Sequence, residues 1–172
     1  MAQIVIGSAE EQALRAIGWV EARPAEADCW VMTRPVGDEP VFALPVQLGD
    51  LTSEWLSARF PTGIPDGAWE VLGGGRRVFA SVSTADGRVV GVGRGAVSTD
   101  YVGVSALAVD KAQRRNGSGT QMLRSLIGWG RDGGASTAFL EVLDDNVEAR
   151  AAYRRNGFVD RYAYRYLTAP TS

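Results

Sequence analysis

The stretch Val104-Ser105-Ala106-Leu107-Ala108-Val109-Asp110-Lys111-Ala112-Gln113-Arg114-Arg115-Asn116-Gly117-Ser118-Gly119-Thr120 decides the fold. An apolar strand ends, a basic turn follows, and Gly117-x-Gly119 opens a helix with Met122, Leu123, Leu126 and Ile127 on one stripe. The first N–H groups of a helix have no internal partner, and the helix dipole adds partial positive charge beside them. Gly117 and Gly119 let the backbone approach an anion without a Cβ in the way, and Arg114 and Arg115 add two cations. The segment reads as a phosphate site, with pyrophosphate as its natural guest. Other phosphate loops fit worse. A Walker loop needs Gly-Lys-Ser/Thr, and the only Lys, Lys111, is not in that place. The dinucleotide fingerprint needs a third Gly in a parallel βαβ unit, whereas hairpins precede this segment. Gly91-Val92-Gly93-Arg94-Gly95 also contains Gly-x-Gly but has no helix after it, so it reads as a bulge or a site of close packing.

Upstream, Val78–Ser83 and Arg88–Val97 read as strands around a hairpin at Asp86-Gly87, and Val102–Val109 as a third strand. Downstream, the helix over 117–131 stops at Gly133-Gly134. Thr137–Leu143 is a central strand, Asn146–Arg155 a second helix stopped by Asn156-Gly157, and Phe158–Leu167 a closing strand. This half is a mixed α/β arrangement, β-β-β-α-β-α-β. Nearer the N-terminus, Gln3–Ile6 is a short apolar run, and Ser8 caps a helix over 9–17 that ends at Gly18. Cys29–Thr33 reads as a strand, Pro35–Gly49 as a linker, and Leu51–Phe60 and Asp66–Leu72 as short helices. The segments around Gly18-Trp19 and Gly157-Phe158 resemble each other, either by chance or as a remnant half-domain.

Composition excludes much. The 172 residues contain no His and one Cys, Cys29, which removes Ser-His-Asp and Cys-His chemistry, Cys/His zinc sites and an internal disulfide. No metal site is expected. A net charge of −2 gives no global field for nucleic acid. No run is long and apolar enough for a membrane span and no signal peptide is evident, so the expected location is the cytoplasm.

The pattern Arg114-x-x-Gly117-x-Gly119 after a strand resembles motif A of the GCN5-related N-acetyltransferases. Leu140-Glu141-Val142-x-x-x-Asn146-x-x-Ala149-x-x-x-Tyr153-x-x-x-Gly157-Phe158 resembles motif B. The resemblance covers Val78–Leu167 well and residues 27–77 less well. It implies an α/β fold with a mixed, mostly antiparallel central sheet, helices on both faces, and a splay between the motif A and motif B strands. It also implies a division into residues 1–26, a strand-helix appendage like the vestigial partial copy in actinobacterial members, and an acetyltransferase domain over 27–172.

The resemblance further implies acetyl-CoA as donor. Pantetheine would meet the backbone of Leu107 and Val109. The backbone at Arg115, Asn116, Gly117, Ser118, Gly119 and Thr120 would hold the pyrophosphate, and Asn146 matches a CoA-contacting Asn. Tyr153 matches the Tyr that protonates the departing thiolate. Glu141 is the candidate base, directly or through water, because an amine must lose a proton to attack a thioester. Each has a plainer reading. Tyr153 is otherwise a packed aromatic, Glu141 a strand carboxylate, Asn146 an N-cap, and Arg114 and Arg115 a solvated turn. Arg150 and Arg154 read as a solvated helix face, with 3′-phosphate contact as the alternative. Cys29 reads as a small buried residue, and Trp19, Trp30 and Trp129 read as core. Trp55 and Trp69 are pocket candidates, and Tyr162, Tyr164 and Tyr166 are pocket wall or dimer surface. Between Val159 and Leu167 there is little room for the usual C-terminal hairpin, so a second chain or residues 1–35 would complete that wall.

The expected function is acetyl transfer to a primary amine, on a small molecule or a peptide, by direct attack in a ternary complex. The alternative is a non-catalytic acetyl-CoA-binding sensor or scaffold. A homodimer is left open.

Overall fold

The structure, a computed structural model, describes residues 1–22, 28–38 and 46–170. It divides into two compact units, Pro35–Phe139 and Met1–Arg34 with Leu140–Ser172.

The Pro35–Phe139 unit carries four antiparallel strands in spatial order, β4 (Val46–Gly49), β5 (Arg76–Ser83), β6 (Val89–Ser98) and β7 (Tyr101–Val109). Gly87, at φ +86, turns the β5–β6 hairpin where Asp86-Gly87 signalled it. Part of the expected 35–49 linker, residues 39–45, lies outside the described residues. Its last four residues form β4, because Val46–Gly49 can hydrogen-bond the open edge of β5, with Val46 opposite Val82. Helix α4 (Ser118–Asp132) lays Met122, Leu123, Leu126 and Ile127 against β6 and β7. The glycine-alternating strand makes this seat. A Cβ at Gly91 would lie 2.9 Å from Met122 Cε, one at Gly93 3.1 Å from Leu126 Cδ1, and one at Gly95 3.2 Å from Leu126 Cδ2. Both structural readings of Gly91–Gly95 hold, since Gly93 also faces a bulge. On β7 Ala106 and Leu107 oppose the single residue Gly93, and Ala106 has φ +53.

A second core contains Trp55, Leu56, Ala68, Phe79 and Val92, which joins α2 (Ser53–Arg59) and α3 (Ala68–Gly73) to the sheet. Trp55, expected as a pocket residue, is 2% exposed; its indole Nε1 donates to Ala80 O at 2.9 Å and its ring meets Phe79 edge-on. Trp69 remains on the surface.

In the other unit β9 (Val159–Thr168) is the hub. It pairs antiparallel with β1 (Ala2–Val5), β2 (Val20–Glu21) and β3 (Cys29–Pro35). β3 lies between β9 and β8 (Thr137–Leu143), whose last four residues belong to this unit. Cys29–Thr33 thus takes an interior place in the sheet, and N-terminal residues supply the strands that pair with β9. The boundary expected at 26–27 falls among residues 23–27, outside the described residues. Helix α1 (Ala9–Ala16) is docked mainly by charge. Ile17 is 68% exposed, whereas Glu11 is 7% exposed and accepts from the Gly7 amide at 2.7 Å and from Arg15 Nε at 3.0 Å. From β9, Arg165 holds Asp28 through two bonds of 3.0 and 2.6 Å and Glu21 at 2.9 Å.

Helix α5 (Val147–Arg155) carries a second ionic group. Arg150 donates to Asp144 at 2.6 Å and Asp160 at 2.8 Å, with its guanidinium 4.1 Å from the centre of the Trp30 ring. Arg154 also reaches Asp160. Arg150, 15% exposed, is therefore an engaged cation rather than part of a solvated face, while Arg154 is exposed as expected; Trp30 is the half-buried partner of Arg150 rather than core.

Candidate functional site

The motif A residues lie on the Pro35–Phe139 unit. A short 3-10 turn, Lys111–Gln113, follows β7, with the Asp110 carboxylate accepting from the Ala112 amide at 3.0 Å and from Arg88 at 3.0 Å. The Ala112 amide, then Arg88, hold this carboxyl below its ordinary range. Arg114 Nε donates to Val109 O at 3.1 Å, tying the turn back to the strand end. Arg115 then takes φ +65 and Gly117 φ +88. Left-handed residues among ordinary ones turn successive amides inward, a geometry that makes an anion-binding concavity. The Asn116 side-chain oxygen accepts from the Ser118 amide at 3.0 Å and its hydroxyl at 2.7 Å. The amides of Arg115, Asn116, Gly117, Gly119 and Thr120 donate to no protein acceptor among the described residues. No acid occupies the first turn of α4. A Cβ at Gly119 would be 3.6 Å from Val109 Cγ2, so space remains above it. Five open amides, two arginines and no competing carboxylate make a cradle that fits a pyrophosphate. Of the two strand residues expected to meet pantetheine, Val109 sits opposite Gly91 and Leu107 lies in the bulge.

The motif B residues lie on the other unit. Asn146 caps α5, its Oδ1 accepting from the Ala149 amide at 3.3 Å, so the N-cap role is filled while its Nδ2 stays available. Tyr153 is half-buried, packed at an angle on Phe158 with ring centres 6.1 Å apart. Its hydroxyl has no hydrogen-bond partner among the described residues, and burial pushes its pKa above the ordinary 10.0. This phenol keeps its proton at neutral pH. Glu141 is exposed on β8 and forms no ion pair among the described residues. Cys29 lies opposite Tyr164 in the β3–β9 register, and each perturbs the other's titration. Burial, and then the charge of Glu141, raise the thiol, against the lowering effect of the neighbouring Tyr164 hydroxyl. Burial first, and then Cys29, raise the Tyr164 phenol as well. Glu141 therefore has a thiol and a phenol as electrostatic neighbours. Tyr164 is buried against Tyr166 at 5.9 Å, while Tyr162 is exposed.

Among the described residues no group of three or more Asp, Glu or Cys could hold a metal, and no helix is long and apolar enough to cross a membrane. Sequence reasoning missed the left-handed Arg115, the Asn116 bond to Ser118, and the Cys29–Tyr164 pair. The first carries no residue-type signal, the second is an Asx-turn that the Asn ahead of the helix could have signalled, and the third depends on a strand register.

The α/β arrangement, with its mostly antiparallel sheet and motif A loop, is that of the GCN5-related N-acetyltransferases. Solved structures agree. A GCN5-related N-acetyltransferase from Sphaerobacter thermophilus superposes over 99% of this chain and 60% of its own, with TM-score 0.68 and 18% identity. One from Kribbella flavida covers 99% of this chain and 68% of its own, with TM-score 0.66 and 16% identity. A tandem GNAT protein from the clavulanic acid biosynthesis pathway covers 95% and 60%, with TM-score 0.70 and 15% identity. At the level of sequence the chain belongs to the family described as "Probable histone acetyltransferase Rv0428c C-terminal", whose model matches residues 15–167. It is also 34% identical over 76 residues to the "Uncharacterized N-acetyltransferase YobR" of Bacillus subtilis strain 168. That match covers 43% of this chain and 31% of the relative.

Proposed function

We propose that the chain transfers an acetyl group from acetyl-CoA to a primary amine by direct attack in a ternary complex. The observation that carries this reading is the set of open amides at Arg115, Asn116, Gly117, Gly119 and Thr120 at the start of α4, a cradle for the donor's pyrophosphate. The arginines at 114 and 115 add charge attraction. The donor supplies an activated thioester, and this chain's residues move two protons around it. As the amine nitrogen bonds to the acetyl carbon and the carbon–sulfur bond breaks, Glu141 takes a proton from the amine, directly or through water. Tyr153 gives one to the departing thiolate. Its hydroxyl, without a hydrogen-bond partner among the described residues, is available for that role. The acceptor is a small amine or a peptide amine, and the reaction belongs where acetyl-CoA is held, in the cytoplasm.

The test is thiol release from acetyl-CoA across a panel of amines. One or more amines should give steady turnover, and Tyr153→Phe should lower it about 100-fold with little change in donor affinity. Turnover by Tyr153→Phe at the parent rate would remove Tyr153 from the chemistry. No thiol release with any amine, despite donor binding, would overturn the enzyme reading.

A further inference from the structure

We propose that a cleft in the Pro35–Phe139 unit binds a small molecule that has an apolar body and ends in a carboxylate or phosphate. The cleft, of about 830 Å³, opens between α2, the start of β6 and the corner after β7. That volume is in the range of small-molecule sites, about 300–1,000 Å³. Val89, Val90, Val92 and Ala108 give it an apolar wall.

The charged side chains around it are not equivalent. Arg88 is spent on Asp110, and Arg114 donates its Nε to Val109 O. Glu54 is exposed at the first turn of α2 and pairs with no cation among the described residues. Arg59 stands apart. Its guanidinium lies 5.0 Å from the centre of the Phe60 ring, and its Nε is buried with no hydrogen-bond partner. Among the described residues the whole guanidinium makes no ion pair or hydrogen bond. A buried donor without an acceptor is costly and uncommon in folded proteins. A planar guanidinium held on an aromatic ring is a preformed fork for two oxygens of one anion. Lys111, also on the lining and also unpaired, adds a second charge. The motif A amides are a different set of donors. The lining shares Val109 and Arg114 with the donor reading but contains none of the Arg115–Thr120 amides, and Arg59 comes from α2.

The experiment is a titration of the 15N-labelled full chain, read at the Arg59 Nε–H signal and at the Gly117 and Gly119 amides. The probes are benzoate, phenyl phosphate and, as the uncharged control, benzamide, each with and without saturating CoA. Benzoate, phenyl phosphate or both should shift the Arg59 signal saturably, with benzamide about tenfold weaker or worse, and the response should persist with CoA present. Benzoate alone marks a carboxylate site and phenyl phosphate alone a phosphate site. Arg59→Gln should weaken the charged probe about tenfold, and Arg59→Lys should restore part of that loss. Three outcomes overturn the proposal: no saturable shift at Arg59, equal binding of benzamide, or loss of the response when CoA is bound, which would make the cleft part of the donor's own site. The titration of the parent chain decides these outcomes even if a variant fails to fold. Failure of CoA to shift Gly117 and Gly119 would count against the donor reading and leave the Arg59 result intact.

Discussion

At Gly117 the backbone holds φ +88, and the nearest atom to an added Cβ would be Gln121 Nε2 at 3.7 Å. Substitution there meets a conformational cost rather than a clash, roughly 1–2 kcal/mol for a residue with a Cβ. Gly117→Asn should therefore unfold in urea close to the parent, since Asn tolerates this region, whereas Gly117→Val should lose the full amount. Equal losses would show that the loop is not left-handed at this position. Arg115, at φ +65, bears the same kind of strain in the native chain. Strain of this sort persists where surrounding structure holds it, and it gathers at binding loops. The glycines and arginines of this segment pointed to an anion site because their chemistry is visible in residue types. The left-handed Arg115 was not legible, because no side-chain property marks it.

The helices show how packing and charge divide the work between elements. Helix α4 approaches β7 most closely at Gly130, where a Cβ would come within 2.5 Å of Val102 Cβ. Gly130→Ala should cost about 1–3 kcal/mol in a denaturant titration, because helix and strand must part. Because α4 carries the amide cradle at its other end, donor affinity should fall too. A variant as stable as the parent would contradict this helix seat. Helix α1 is held by different means. The Gly7 amide, followed by Arg15 and Arg165, keeps the Glu11 carboxyl below its ordinary 4.5, against the opposing effect of burial. A lowered carboxyl stabilises the fold fully above its unfolded value, and that contribution is lost as pH falls through the lower folded value. Glu11→Gln should therefore be less stable than the parent at neutral pH, and the gap should close below about pH 4. Thermal melts across that range measure it, and a gap that persists in acid would exclude the charge as its cause. The Ser8 cap and the α4 stripe were plain in the sequence, since capping and periodicity are local. The interior place of β3 was not, because strand order depends on pairings across more than a hundred residues.

In the whole molecule the two halves of the family pattern fall on different units, motif A within Pro35–Phe139 and motif B on the unit built from both chain ends. In the second unit β1, β2 and β3 flank β9. Removing residues 1–22 would strip β1 and β2 from β9 and take Glu11 and Glu21 from Arg165. The truncated chain should melt lower and aggregate, because an unpaired strand edge invites association. A truncated chain with the parent melting temperature would show that these pairings contribute nothing. The central claim, that the Arg115–Thr120 cradle holds the donor, is tested most directly by calorimetric titration of the parent, Arg115→Glu and Gly117→Val with acetyl-CoA. The account predicts one saturable site in the parent, weakened about tenfold or more by each substitution through repulsion in one case and a distorted cradle in the other. Affinity unchanged in both variants would contradict it.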